Sequence, residues 1–326
     1  MGVGHFMRCF AFAEYWRESR REVTFIGRYP ASLRGRLAEI GIGSRTLEAA
    51  HPDESDLRAT LEIIPDRSIV VVDGYHFDEC YQRALADRYQ LLVIDDSGAD
   101  TPCCGVALLN QNPGADEITP VAPPPLCMLG PKYALLRSEF RKRAGTARRH
   151  EERATRILLN MGGGDAANVT LEVLRVLLTL EIAGVQIRIL AGPANPHAEA
   201  LRGHTRDLDC VVLLEHTQDV AAEMAWADLA VTAAGTTCLE LAAMGLPSVL
   251  LTVAENQIPS ALTMNRLQAS VYGGDAHDLD VDALGATIGQ LVESRETREA
   301  MGRAAERLVD GNGVRRVERA LLELEQ

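Results

Sequence analysis

Four loops of this 326-residue chain carry residue types able to do chemistry on a phosphorylated or hydroxylated ligand. The sharpest is Thr232-Ala233-Ala234-Gly235-Thr236-Thr237-Cys238-Leu239-Glu240. Placed after a strand, Gly235, Thr236 and Thr237 would present backbone N–H groups and hydroxyls at a helix N-terminus, which holds a diphosphate without a metal ion. Glu240, three residues beyond Thr237, shares its face, so its carboxylate can reach the two hydroxyls of a ribose. The competing reading is a capping box, with Thr237 as N-cap and Glu240 reaching back. A second loop, Asn160-Met161-Gly162-Gly163-Gly164-Asp165, leads into a helix from about Ala167 and suits a phosphate or a sugar hydroxyl, or is a tight turn. In Ala254-Glu255-Asn256-Gln257 the amides of Asn256 and Gln257 either cap a helix or bind phosphate or sugar.

The fourth loop, Gly2-Val3-Gly4-His5, opens directly into an amphipathic helix that includes Arg8. A dinucleotide fingerprint is incomplete here. The third glycine of GxGxxG is absent, Arg8 stands close to its place, and no acid ends the next strand at Gly27-Arg28. His5 has more to offer, because a neutral imidazole beside a ligand can accept a proton at physiological pH. A lone histidine is equally a structural residue. Asp278-Leu279-Asp280-Val281-Asp282 has the residue types of a metal site, yet it follows no strong strand and is expected to supply N-terminal acids to a surface helix. Neither a metal nor a cofactor is expected. Asp95-Asp96, at a strand end, would bond backbone or line the site.

These loops need a scaffold, and the chain alternates short apolar runs with helical patterns in the manner of parallel βαβ units. Strands are expected at 23–28, 68–73, 90–95 and 106–110, with helices at 6–17 and 77–88 among them. A second series is expected at 156–160, 186–191, 211–214, 228–232 and 247–252. Such a length exceeds one hydrophobic core and predicts two Rossmann-like domains, α/β in class, facing each other across a cleft, with ligands at the carboxyl ends of the strands. The expected division is an N-terminal domain over 1–135, a basic connection over 136–155 and a C-terminal domain over 156–326, whose last helix can pack back on the first. Pro120 and Pro123–Pro125 interrupt regular structure, placing the interdomain connection nearby.

A formal net charge of -13 argues against nucleic acid as a partner. No uncharged apolar run approaches the ~20 residues of a membrane span, and the start lacks the pattern of a secretory signal, so a cytoplasmic location is expected. Seven scattered cysteines without CxxC spacing read as reduced, mostly buried thiols. The basic stretch carrying Arg141, Lys142, Arg143, Arg148, Arg149 and Arg153 reads as a solvated face, with a docking patch as the alternative.

Taken in order, GVGHFMRCFAFAE, VVVDGYHFD, VIDDSG, LLNQN, LGPKYALLRSEF, LLNMGGGDAANVT and MAWADLAVTAAGTTCLELAAMGLPSVLLTVAENQ make the sequence resemble the PseG-type UDP-sugar hydrolases of pseudaminic acid biosynthesis. It is similar as well to the spore-coat polysaccharide proteins of the wider MurG-like GT-B group. The resemblance implies metal-independent hydrolysis of UDP-2,4-diacetamido-2,4,6-trideoxy-β-L-altropyranose at the anomeric carbon, with inversion. It implies His5 as the base for water, with Gly4, Arg8, Asp73, Tyr75, Gly162, Gly163, Gly164, Asp165, Gly235, Thr236, Thr237, Glu240, Asn256 and Gln257 around the UDP-sugar. His76 adds a further ionisable group, either a substitute base or a helix-start residue. In the family a hydrophobic first strand precedes GxGH; here the chain starts at Met1-Gly2, so either the start lies upstream or the sheet is incomplete. A GT-B glycosyltransferase passing the sugar to an acceptor is the first alternative, and a non-catalytic nucleotide-sugar-binding protein the second.

Overall fold

The structure, a computed structural model, describes residues 3–96, 102–192, 195–215, 217 and 219–324. Gly2 of the opening motif and Ser97-Gly98 of VIDDSG lie outside the described residues. The chain divides into two compact units, one of Met1–Ser138 with Asn312–Gln326 and one of Glu139–Gly311.

The first unit runs α1 (Val3–Glu18), β1 (Thr24–Gly27), α2 (Ala31–Glu39), β2 (Gly43–Thr46), α3 (Glu54–Ile63), β3 (Ile69–Asp73), α4 (Glu79–Ala86), β4 (Gln90–Ile94), β5 (Ala107–Asn110) and β6 (Leu126–Leu129), and the short α5 (Ser138–Arg141) begins at Ser138 and continues into the second unit. Its strands form two parallel sheets, β1-β2 and β3-β4-β5-β6. Among the described residues β1 pairs with β2 alone and β3 with β4 alone, so the two sheets share no hydrogen-bonded ladder there.

What joins them is α1. Its 6, 10 and 13 positions follow helical spacing and put Phe6, Phe10 and Ala13 against Phe25 of β1, Leu37 of α2 and Ile42. Its adjoining face puts Ala11 and Phe12 against Leu92, Ile94, Ala107, Leu109 and Met128 of the larger sheet. A helix apolar on two faces is what a burial on two sides requires. Along β4 the period is two: Leu91 and Val93 meet Tyr81 and Leu85 of α4, while Leu92 and Ile94 meet α1. That explains the uninterrupted apolar run of a strand covered on both faces.

The second unit runs β7 (Arg156–Asn160), α6 (Val169–Thr179), β8 (Gln186–Leu190), α7 (Ala198–Thr205), β9 (Val211–Leu214), α8 (Val220–Trp226), β10 (Leu229–Ala233), α9 (Thr237–Ala243), β11 (Ser248–Thr252), α10 (Ile258–Arg266), β12 (Val271–Asp275), α11 (Val281–Glu293) and α12 (Arg295–Leu308). All its strands are parallel, in the order β12-β11-β10-β7-β8-β9. Ile157, Leu159, Ile187, Ile189, Leu229, Val231, Val249 and Leu251 form one face, packed by Val169, Val173 and Leu177 of α6 and by Leu284, Ile288 and Leu291 of α11. Leu158, Ala230 and Leu250, on the opposite face, are buried as well.

The last helix, α13 (Gly313–Glu323), belongs to the first unit and sends Val314, Val317 and Leu321 into the core that holds Ala11 and Phe12. The chain therefore leaves the first unit after Ser138 and re-enters it at Asn312. Pro120 and Pro123–Pro125 sit in the loop between β5 and β6, inside the first unit, and residues 139–155 belong to the second unit.

Of the basic stretch, Lys142, Arg149 and Arg153 are exposed, as a solvated face requires, while several of its arginines also tie the second unit together. Arg143 pairs with Asp219, Arg153 with Glu293 and Arg156 with Asp228, all within the second unit. Arg148 donates to the carbonyls of Met244, Ala227 and Met224, the orphan acceptors at the ends of α9 and α8. Burial, with no carboxylate bonded to it, pushes its pKa down to about 10. Of the cysteines, Cys238 is buried, Cys80 is exposed and the rest are half-buried, so the thiols are more open than the sequence suggested.

Gly313 is required by a close approach. A Cβ there would lie 2.3 Å from the Ala134 carbonyl oxygen and 2.5 Å from its nitrogen. Gly289, inside α11, has nothing within 4 Å of the same position. Gly313→Ala is expected to lower the unfolding free energy by about 1–3 kcal/mol through overpacking, and Gly289→Ala to raise it by about 0.5–1 kcal/mol through helix propensity. Urea denaturation of the two variants side by side measures both, and changes of equal sign would contradict the crowding at Gly313.

Candidate functional site

α1 begins at Val3, so Gly4 and His5 lie in its first turn and Arg8 follows one turn later on the same side. That side meets the carboxyl ends of β3 and β4, where Asp73 closes β3 and Asp96 follows β4. His5 Nδ1 lies 2.6 Å from Asp73 Oδ1. Arg8 donates from Nη2 to Asp73 Oδ1 at 2.6 Å and from Nε to Oδ2 at 2.7 Å, a bidentate pair, and from Nη1 to Asp96 Oδ2 at 2.8 Å. The thiol of Cys9 donates to Asp73 Oδ2 at 3.3 Å.

Burial works to raise the Asp73 and Asp96 pKa values, but hydrogen bonds and charge from Arg8, joined at Asp73 by His5, hold both below the ordinary 3.8. For Arg8 burial works downward and is outweighed by the two carboxylates, so its pKa is raised. Burial beside Asp73 pushes the Cys9 thiol well up. An ionised Asp73 only accepts, so the Nδ1 that faces it carries the hydrogen and the lone pair of neutral His5 sits on Nε2. Tyr75, 58% exposed, sets its ring edge-on to His5 with centroids 5.2 Å apart.

Arg8 and Asp73, both expected around the UDP-sugar, are engaged with protein groups. Arg8 and Asp73 are 4% and 7% exposed, and their polar atoms face each other, His5 and Asp96. Asp96, considered in the sequence only as one of two acids at a strand end, is the second anchor of Arg8. His76 stacks on Phe77 at 4.1 Å between centroids and lies two residues ahead of Asp78, the N-cap of α4. Burial, with His51 next, lowers its pKa.

In the second unit the strand order carries the argument. The chain builds outward from β7 through β8 to β9, then returns to the other side of β7 with β10 and continues to β11 and β12. The reversal falls between β7 and β10, and ligands of open parallel sheets bind at the carboxyl ends of the strands at such a point. The Gly162–Gly164 loop follows β7 and the Gly235–Thr237 loop follows β10. Thr232 donates its hydroxyl to the Asn160 carbonyl at 2.6 Å, and Asn160 Oδ1 accepts from Gly162 N at 2.9 Å, tying the two loops at their roots. Gly162 has φ +84°, and a Cβ at Gly192, in the loop after β8, would lie 2.4 Å from Gly163 Cα.

Thr236, one residue before the Thr237 expected from the sequence, is the N-cap of α9, and its side chain makes no cap hydrogen bond. Gly235, Thr236, Thr237 and Glu240 are all half-buried. The third loop, after β11, contains an exposed Asn256 and a half-buried Gln257. Gln257 Oε1 accepts from Val253 N at 3.0 Å, which fixes the amide so that its donor end, Nε2, lies 3.9 Å from the Cβ position of Gly235. Asp165 has a structural duty: its two oxygens accept from Val169 N and Thr170 N and cap α6. Asp280 likewise caps α11, accepting from Ala283 N.

Two Rossmann-like units of parallel strands with intervening helices define a GT-B type α/β fold. Solved structures agree. MurG of Acinetobacter baumannii matches with TM-score 0.67 and 16% identity over 99% of this chain and 97% of that one. Anabaena Alr3699/HepE, solved with UDP and glucose, matches with TM-score 0.63 and 10% identity over 98% and 96%. Residues 157–316 match the glycosyltransferase family 28 C-terminal domain. The spore coat polysaccharide biosynthesis protein SpsG of Bacillus subtilis is 27% identical over 60% of this chain and 58% of its own. The UDP-N-acetylglucosamine--N-acetylmuramyl-(pentapeptide) pyrophosphoryl-undecaprenol N-acetylglucosamine transferase of Solidesulfovibrio magneticus is 33% identical over 50% and 47%. The chain spans about half the length of the curated relatives it matches.

Because the folded-state pKa of Asp73 is depressed, its stabilising effect is complete above 3.8 and is lost as pH falls through the lower folded value. Asp73→Asn is expected to cost about 3–5 kcal/mol at neutral pH by leaving Arg8 short of a partner. It should also flatten the loss of stability below pH 4 seen with the native chain. Urea midpoints across the acid range check both, and parallel acid limbs would exclude Asp73 as a source of the loss.

Proposed function

We propose that the protein transfers a glycosyl group from a UDP-sugar to a hydroxyl nucleophile in polysaccharide biosynthesis, without a metal ion. The second unit holds the nucleotide. The observation that carries this reading is the strand-order reversal between β7 and β10, which brings the glycine loops after both strands to the ligand end of the sheet. Backbone N–H groups at Gly235–Thr237 and Gly162–Gly164, with the Gln257 Nε2 donor, are offered to the diphosphate. Glu240, one turn along α9, accepts from the ribose hydroxyls, and Asn256 and Tyr75 lie on the sugar.

His5 is the general base. Its Nε2 takes the proton of the attacking hydroxyl as that oxygen bonds to the anomeric carbon. The bond from that carbon to the diphosphate oxygen breaks, and its electron pair leaves with UDP, inverting the centre. The donors of the second unit stabilise the charge that develops on UDP. Asp73 orients His5 and balances the imidazolium as it forms, as a carboxylate partner does in other histidine-based sites.

The match to the family 28 C-terminal domain and the likeness to a named transferase favour a sugar or sugar-lipid hydroxyl as the nucleophile. Hydrolysis, with water as nucleophile and a diacetamido-trideoxy sugar as product, is the second reading, supported by the GVGH, GPKYALLR and ENQ motifs. A panel of UDP-sugars including UDP-N-acetylglucosamine, followed by UDP release with and without saccharide acceptors, separates the two. Release that requires an acceptor supports transfer, and equal release in its absence supports hydrolysis.

Two variants test the residue roles. His5→Asn keeps much of the shape and removes the proton acceptor, so turnover should fall by about 10²–10⁴-fold with UDP affinity unchanged. Native-like turnover in this variant would remove His5 from the chemistry. Glu240→Ala should weaken UDP binding by about 1–3 kcal/mol, read by calorimetry in the presence of a chelator. Unaltered affinity would leave Glu240 outside the nucleotide site.

A further inference from the structure

We infer that Arg8 is a positioning residue for His5, anchored at its far side by Asp96, and that the two together set which imidazole nitrogen faces the substrate; this rests on the reading of His5 as the base. Three facts meet here. Arg8 is 4% exposed, so it has no surface to offer a ligand. Its Nε and Nη2 occupy both oxygens of Asp73, which prevents the carboxylate from turning away from His5. Its Nη1 is held by Asp96 Oδ2, which stops the guanidinium from swinging about its own stem.

The consequence for His5 is geometric first. Asp73 Oδ1 receives both Arg8 Nη2 and His5 Nδ1 at 2.6 Å, so the hydrogen on Nδ1 has one acceptor at a fixed place. Arg8 Nη2 lies 3.1 Å from His5 Nδ1, and a guanidinium only donates. The other tautomer would accept a hydrogen bond from Arg8 Nη2 but would set its Nδ1 lone pair against Asp73 Oδ1 at 2.6 Å, so hydrogen stays on Nδ1 only while Arg8 is held on both Asp73 oxygens and Oδ1 faces the ring. The charged and titratable groups facing His5 are Arg8 on its own helix, Asp73 from β3, Asp96 after β4, and Tyr75 and His76 from the loop after β3. Among them Arg8 alone touches both carboxylates.

A lysine cannot replace this arrangement. Its ammonium is a point charge on a flexible stem and lacks the planar fork that meets both Asp73 oxygens while reaching Asp96. The residue type, more than the charge, is what the site needs.

The test is a double-mutant cycle of Arg8→Lys and His5→Asn, with nitrogen NMR of the His5 ring as a readout that needs no substrate. In the native chain the neutral ring should show hydrogen on Nδ1; in Arg8→Lys it should show a mixture of both tautomers. With the UDP-sugar that turns over in the panel above, Arg8→Lys should lower kcat by about 10–100-fold with KM and UDP affinity unchanged. Combined with His5→Asn it should add little, because no ring remains to be positioned. A single Nδ1–H tautomer with native kcat in Arg8→Lys would overturn the inference, as would losses that multiply in the double variant. A rise in KM at constant kcat would also overturn it, making Arg8 a substrate contact. Should Arg8→Lys fail to fold, Asp96→Ala leaves the bidentate pair and removes the acceptor of Nη1, and the same cycle is read for the same two signs at smaller size. If His5→Asn alone keeps native turnover, the base reading fails, while the tautomer measurement still reports on Arg8.

Discussion

The carboxylate of Asp73 is the contact on which the first unit turns. It receives His5 Nδ1, two nitrogens of Arg8 and the thiol of Cys9, all from the first turns of α1. That helix is also what packs the β1-β2 sheet against the four-stranded one. A single buried ion pair therefore fixes both the seat of the histidine and the depth at which α1 is inserted. Removing one partner of such a pair leaves an uncompensated buried charge, which costs far more than the net worth of the intact pair. The arrangement is thus better understood as registering α1 on the end of β3 than as a source of raw stability. Helical spacing does the rest, since residues 5 and 8 must share the face that meets Asp73 while 6, 10 and 13 meet Phe25 and Leu37.

The second unit relies on a different principle. Apart from the Glu240 carboxylate, its proposed ligand groups are backbone N–H groups, hydroxyls and the amides of Asn256 and Gln257, on loops held by neutral hydrogen bonds such as Thr232 to Asn160 and Val253 to Gln257. Loops of this kind are only as well placed as the strands that carry them, and β7, β10 and β11 are adjacent and central in the sheet. Buried arginines keep the frame closed. Arg298, fully buried, donates to the carbonyls of Leu291, Val292 and Glu152 and thereby seals the end of α11, as Arg148 does for α8 and α9.

Most strands were legible because each is a short apolar run ended by a polar residue or glycine, and β7 and β9 have the bounds that the pattern implies. Three were not. β2 is Gly-Ser-Arg-Thr, exposed throughout and paired on one side with β1 alone, so burial imposes no pattern on it. β6 is four residues long behind a run of prolines, and β12 contains Gly273 and Gly274 at a shift of register. The loops Gly162–Asp165 and Gly235–Glu240 were legible from composition, yet not the duty of every residue in them. Asp165 looks like a ligand group in sequence and is a helix cap in space, because only the turn at Asn168 brings its carboxylate over Val169 N and Thr170 N. Arg8 and Asp73 stand 65 residues apart, and Arg8 and Asp96 88 apart, so nothing local announces that they neutralise one another.

The proposed diphosphate site has to work in an acidic chain. The net charge of -13 makes the long-range field unfavourable to an anion, although a Debye length of about 8 Å at physiological ionic strength limits its reach. Nor does the interior lend the site a spare cation from the network at His5, where Arg8 is matched by two carboxylates. In the second unit Arg143, Arg153, Arg156, Arg188 and Arg202 are each paired with an acid. In the proposed site the attraction is assigned to short-range donors that cost little to organise. Backbone N–H groups at glycine turns meet that need, since they are already fixed by the fold and carry no counter-charge to be displaced. Such donors act only over hydrogen-bond distances, so the fold must bring two glycine loops to one place. Between β7 and β10, where the order of strands reverses, it does so.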